Sequence, residues 1–189
     1  MTNQQEIKPM PNWCSNQATI HGTKEQILEL AGAYERGGVI ENYLPTPRDP
    51  DDQSRLIGED DTFQNKNSWY HWRLDNWGTK WDFGKTPYTP DEECDWQVDE
   101  EGYGYVHLRF DTAWNPPLGL YEALNKLDMT VEAYFFEPCG AFCGQWSNPV
   151  EGIVNEKIKF SIDNHDKIPY TIQQVFNTEE FYADTGDLI

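Results

Sequence analysis

The chain has 189 residues, and 33 Asp and Glu against 14 Lys and Arg leave a formal net charge of −19 at pH 7. Only 38% of the residues are hydrophobic, yet 14% are aromatic; that argues against a disordered acidic tail, because such tails are poor in rings. The charge also argues against a conventional nucleic-acid binder, whose phosphate contacts need Lys and Arg in excess. The length favours a single domain.

In chain order, residues 13–21 (WCSNQATIH) are β-favouring and stop at Gly22, which predicts a first strand. Thr23 is a candidate N-cap for a helix whose apolar positions Ile27, Leu28, Leu30, Ala31 and Tyr34 recur at helical spacing until Gly37-Gly38. Val39 to Leu44 reads as a second, short extended piece. A polar, acidic loop is expected over 45–66, then a short aromatic helix from Ser68 to Asp75, broken at Gly78. Residues 91–101 (DEECDWQVDEE) hold seven acids and no base. From Tyr103 to Phe110 the alternation has period two, with Val106, Leu108 and Phe110 facing a core. Pro116-Pro117 introduces a second helix over 117–127, with Leu120, Ala123, Leu124 and Leu127 as its apolar stripe. Met129 to Phe136, Ala141 to Trp146 and Lys157 to Ile162 read as strands. Beyond them, Phe176, Phe181 and Tyr182 suggest a short docking helix before a frayed end at Asp184 to Ile189.

Two β-α-β halves separated by a long insertion predict an α+β fold. The expected form is a ferredoxin-like antiparallel sheet with two helices on one face. One domain spans 10–165, with an aromatic and acidic insertion at about 45–100; residues 166–189 form a C-terminal extension, partly docked or frayed.

Three segments are more specific than their surroundings: Pro11-Asn12-Trp13-Cys14-Ser15-Asn16, Trp72-Arg73-Leu74-Asp75-Asn76-Trp77-Gly78-Thr79-Lys80-Trp81-Asp82, and Phe110-Asp111-Thr112-Ala113-Trp114-Asn115-Pro116-Pro117. Together they resemble the YubB-like ferredoxin-fold family of phage and plasmid proteins. Its members begin near M-P-N-W-C-S-N and carry N-W-G-T-K-W-D and T-A-W-x-P-P. The likeness runs over about residues 10–146. It departs at the extension before Met10, at Phe83 where a small residue is usual, and past about 165. The resemblance implies the fold and a mobile-element origin, not a mechanism.

Trp72, Trp77 and Trp81 enclose Arg73 and Lys80, and aromatic faces with interleaved cations can receive a base, a sugar or another aromatic surface. Asn76 and Asp82 add hydrogen-bonding edges. The competing reading is structural: the three indoles pack against Trp13 and Trp114, Arg73 pairs with Asp75 or Asp82, and Gly78 supplies a turn. The acids form two runs, Asp49 to Asp61 and the set Asp91, Glu92, Glu93, Asp95, Asp99, Glu100 and Glu101. Both lie in the insertion, so they could share one surface, either for solubility or to imitate a phosphate backbone before a basic partner.

Catalysis is not expected. No nucleophile elbow or Cys-His signature surrounds His21, His71, His107 or His165, although His71 could meet Cys14 in space, and no glycines are spaced as a phosphate loop. Cys14, Cys94, Cys139 and Cys143 read as free thiols. Cys139 and Cys143 lack the second matched pair of a zinc site, so neither metal nor cofactor is expected. No apolar run of about 18 residues is present, and the start MTNQQEIKPMPNW lacks a secretory signal; a cytoplasmic place in a host bacterial cell follows as an expectation. The functional expectation is an acidic phage accessory protein. It would bind a host protein with a basic surface, a nucleic-acid-binding or defence protein inhibited through DNA mimicry, without touching nucleic acid or membrane. The alternative is a small-molecule, nucleotide-like binder using the Trp72–Trp81 segment.

Overall fold

The computed structural model describes residues 12–86, 93–148 and 154–179. Its sheet is organised around β1 (Trp13–Thr23), whose alternation buries Cys14, Asn16, Ala18 and Ile20 on one face. β1 has antiparallel partners on both sides, β3 (Tyr103–Ala113) and β4 (Thr130–Glu137). β2 (Glu93–Val98) pairs with β3, while β5 (Phe142–Ser147) and β6 (Val154–Lys159) extend the sheet beyond β4. The order is β2-β3-β1-β4-β5-β6 and every pairing is antiparallel.

α1 (Lys24–Glu35) begins at Thr23 with a reciprocal cap: the Gln26 amide donates to Thr23 Oγ1 (3.4 Å), and the Thr23 amide donates to Gln26 Oε1 (2.8 Å). Its Ile27, Leu30, Ala31, Ala33 and Tyr34 are buried, whereas Leu28 faces water. α2 (Val39–Tyr43) and α3 (Trp69–Asn76) lie in the long connection to β2. α4 (Leu118–Asn125) buries Leu120, Tyr121 and Leu124, and Leu127 beyond its end is exposed. These residues join Val106, Leu108, Val131 and Ala133 from the strands in the main core.

α5 (Tyr170–Phe176) packs on the opposite face of the sheet. Ile168 and Ile172 are buried there with Phe136, Cys143 and Phe160, and Phe176 rests against the same cluster. Phe181 and Tyr182 of the expected docking helix lie outside the described residues.

Two local expectations are corrected, and one strand lies where none was predicted. Val39–Tyr43 is a helix, not an extended piece, because the Asp82 carboxylate accepts from the Ile40 and Glu41 amides (2.7 and 2.8 Å) and so supplies a cap from 42 positions away. The acidic run contains strand β2. Cys94, Trp96 and Val98 share the register of Leu108, Val106 and Gly104 on the helix side, and the acids between them take the other face. The last strand is Val154–Lys159, earlier than its apolar residues suggest, and a 3-10 segment at Ile162–Lys167 follows it.

The first and third sequence strings are adjacent in space. Asn16 and Thr112 are both buried, and Asn16 Nδ2 donates to Thr112 Oγ1 (2.8 Å) and to the Cys14 carbonyl (2.7 Å). Thr112 Oγ1 in turn donates to the Asn115 carbonyl (2.7 Å). This network fixes where β1 starts against where β3 ends.

The four thiols are free, with Cys139 exposed and Cys14 and Cys143 buried. Burial pushes the Cys94 and Cys143 thiols up to about 11 and the Cys14 thiol higher still. In mildly alkaline buffer a thiol reagent should therefore label Cys139 first in the native protein. Cys14 and Cys143 should react only when denaturant is added, as mass spectrometry of the labelled peptides would show.

Candidate functional site

The Trp72–Asp82 segment divides into an inward and an outward half. α3 carries Trp72 and Arg73 toward the core, and Trp77, which follows its last residue, is fully buried. The Trp77 indole N–H donates to the Leu44 carbonyl (2.8 Å), and its ring meets Trp72 edge to face at 6.4 Å between centroids. Arg73 lays its guanidinium 4.1 Å from the Trp77 ring centroid and 5.1 Å from that of Trp69. Its Nε donates to Thr46 Oγ1 (2.9 Å) and one terminal nitrogen to Glu41 Oε2 (3.2 Å). Glu41 also accepts from the Thr46 amide (3.2 Å) and hydroxyl (2.6 Å) and from Arg48 (3.5 Å).

The arginine's partner is thus Glu41, not Asp75 or Asp82. Asp82 is occupied in capping α2 and accepts from its own neighbour Phe83 (2.8 Å) as well. Burial pushes its carboxyl above the usual carboxylate value, and three backbone N–H donors and Arg73 pull it partly back. Asn76 Nδ2 donates to the Trp72 carbonyl (2.8 Å), ending α3 locally. Gly78 has φ of +89°, and a Cβ there would stand 2.8 Å from the Pro116 carbonyl oxygen. Immediately after it, Thr79 is buried and donates to the Ala113 carbonyl (3.0 Å).

Past that turn the chain faces outward. Lys80 Nζ lies 4.1 Å from the ring centroids of both Trp81 and Trp114. Trp81 also contacts Trp13 (5.8 Å), and both remain about two-fifths exposed, at 41% and 39%. Trp114, itself at φ +75°, meets Tyr70 (6.3 Å), which meets the exposed Phe63 (5.1 Å). Trp13 and Trp114 therefore pack with Trp81, Lys80 and Tyr70, while Trp77 packs elsewhere. The seven residues of the predicted aromatic site do not line one pocket: Trp72, Arg73, Trp77 and Asp82 hold the insertion together, and Lys80 and Trp81 belong to a surface aromatic group.

The acidic residues are also divided. Asp99, Glu100 and Glu101 form the turn before β3, and Asp99 Oδ1 accepts from the Tyr103 amide (2.9 Å). The Asp49–Asp61 loop is tied to α3, since the Trp69 amide donates to the Ile57 carbonyl (2.7 Å) and neighbouring Tyr70 touches Trp114, just past the other end of β3. Eleven strand residues, roughly 34 Å at about 3.4 Å each, separate the two ends. Glu93 and Asp95 lie on β2, with Glu93 3.7 Å from Arg109. Asp91 and Glu92 lie outside the described residues. Asp99 to Glu101 and the Asp49–Asp61 loop thus lie toward opposite ends of β3, with Glu93 and Asp95 along β2 between them.

The structure does not bring His71 to Cys14. His71 Nδ1 engages Ser68 Oγ and the Asn65 carbonyl (both 3.1 Å), and Cys14 packs with Phe135 and Phe142. His107 is held by Gln17 (3.0 Å) and Thr19 (2.9 Å). Among the described residues no group of three or more His, Cys, Asp or Glu is placed to hold a metal ion, and no helix is long and apolar enough to cross a membrane. Sequence reasoning missed Glu41 and Thr46, because nothing in their spacing ties them to Arg73, and it missed Tyr70 and Phe63 as members of the surface group. No family model, curated protein or solved structure matches the chain.

Truncating Trp77 to Ala removes a fully buried indole and should cost about 4 kcal/mol, enough to shift a urea midpoint strongly. Gly78→Val should be harmful independently, through its positive φ and the Pro116 carbonyl. Arg73→Ala should lower stability by about 2 kcal/mol by stripping charge-assisted hydrogen bonds, and Arg73→Lys should recover only part of it. Urea midpoints of all four variants equal to wild type would show that this segment does not brace the fold.

Proposed function

We propose that the chain is a non-enzymatic binding protein of phage or related mobile-element origin. Its partner is a host protein with a basic surface, a nucleic-acid-binding or defence protein that it inhibits by standing in for DNA. One observation carries this reading. All five arginines of the chain are tied to its own carboxylates: Arg36 to Glu29, Arg48 and Arg73 to Glu41, Arg55 to Glu59 and Asp60, and Arg109 to Glu93. Against a net charge of −19, the side chains left for a partner are overwhelmingly carboxylates. Such a surface accelerates encounter with basic proteins and repels nucleic acid and anionic membranes.

The strand order is consistent with the family resemblance. Read without β5 and β6, the inner strands run β4-β1-β3-β2 with α1 and α4 on one face, which supports a ferredoxin-like plait carrying a long insertion between α1 and β2. The small-molecule reading keeps one specific support, the exposed Trp13 and Trp81 beside Lys80. In that reading the ligand meets Lys80, Trp81, Trp13 and Trp114, and not the half-buried Arg73 or the buried Trp77.

The test is competition. A host DNA-binding protein captured by the chain at low salt should be released by duplex DNA. It should also be released as salt rises past about 0.15 M, where the Debye length is about 8 Å. A captured protein that binds duplex DNA and this chain at the same time would refute the mimicry.

A further inference from the structure

The two faces of the sheet are covered unequally. α1 and α4 lie over one face, while on the other α5 covers only the part built from β4, β5 and β6. Among the described residues nothing packs over the same face of β2, β3 and β1. That open half carries rings: Tyr103 is 62% exposed and Tyr105 38%, and Tyr105 lies 6.1 Å from exposed His21 across the β1–β3 pairing.

Gly102-Tyr103-Gly104-Tyr105-Val106 resembles the strand with which RNA-recognition sheets stack bases, K/R-G-F/Y-G/A-F-V-x-F/Y, with Tyr105 in place of the Phe and Leu108 in place of the last ring. Here the leading position is Glu101. The rest of the rim is acidic as well, with Glu93 and Asp95 on the same face of β2 and Asp99 and Glu100 in the turn. The one arginine on this face, Arg109, is paired with Glu93. A phosphate backbone meets repulsion here, whereas a planar cation meets both stacking surfaces and counter-charge. Guanidinium groups stack on aromatic faces better than ammonium groups do.

We propose that the open half of the sheet, with Tyr103, Tyr105 and His21 inside a rim of Glu93, Asp95 and Glu101, is the docking surface for an arginine-rich segment of the basic partner. This rests on the reading of the chain as a binder of basic proteins.

The experiment measures fluorescence anisotropy of labelled octa-arginine, octa-lysine and octauridine against the full chain at low and moderate salt. Octa-arginine should bind several-fold more tightly than octa-lysine, and octauridine should not bind. The double variant Tyr103→Ala with Tyr105→Ala should lose about tenfold in octa-arginine affinity, as expected for two exposed cation–π contacts, and with it the preference over lysine. The double Phe variant keeps the rings and should keep both, which separates lost stacking from lost strand structure.

If the Ala variant binds octa-arginine as wild type does, while Asp99→Asn, Glu100→Gln and Glu101→Gln together abolish binding, the sheet surface is wrong and the acidic reading stands. If wild type binds neither peptide, the basic-partner reading fails with it. Tyrosine-dependent binding of octauridine in place of octa-arginine would overturn the proposal in favour of single-stranded RNA.

Discussion

The burial of Trp77 is the constraint on which the inserted segment depends. Its ring fills the main core, its N–H satisfies the Leu44 carbonyl at the end of α2, and its carbonyl accepts from the Gly119 amide in the first turn of α4. One residue thus joins the piece after α1, the aromatic helix and the second core helix. Gly119 is needed for the last contact, because a Cβ there would run into the Asn76 carbonyl. With Trp77 set, Gly78 reverses the chain and delivers Thr79 to the end of β3, so the outward Lys80 and Trp81 inherit their position from an inward neighbour.

Charge is handled differently inside and outside. The half-buried Arg73 has two ring faces, a hydroxyl and a carboxylate around it, which makes its burial tolerable; desolvation still holds its pKa below the usual value, opposed by Glu41 and Asp82. Asp82 is balanced in the same way by the α2 amides. On the surface, the pairs formed by Arg36, Arg55 and Lys85 are solvent-exposed and contribute little to stability, but they neutralise bases that a partner would otherwise meet. The cost of so many unbalanced acids is self-repulsion, spread along the length of β3 instead of concentrated at one end.

Much of the sheet was legible because its signals are local. The alternation in β3, the Thr23 cap of α1 and the Pro-Pro entry to α4 each lie within one element. What escaped was set by distant partners. α2 is a helix because Asp82 caps it from 42 positions away, and Arg73 chooses Glu41, 32 positions back, over the nearer Asp75. β2 was hidden because an edge strand with acids on its open face has the composition of a solvated loop. The division of the tryptophan segment was hidden for another reason. Trp77 and Lys80 are three residues apart, and only the left-handed turn at Gly78 decides that they face opposite ways.

The central position of β1 has a consequence for the order of events as the chain is made. β1 leaves the ribosome well before its hydrogen-bonding partners; Gln17, for example, waits for His107, 90 residues later. At about 5–20 residues per second, translation leaves that strand unpaired for roughly 5–20 seconds. During that interval Cys14, Ala18 and Ile20 have no sheet to join, and α1 can offer them only partial cover. A chain with this topology relies on the nascent segment staying soluble until β3 and β4 arrive, and the carboxylates that precede β3 leave the ribosome while β1 is still waiting.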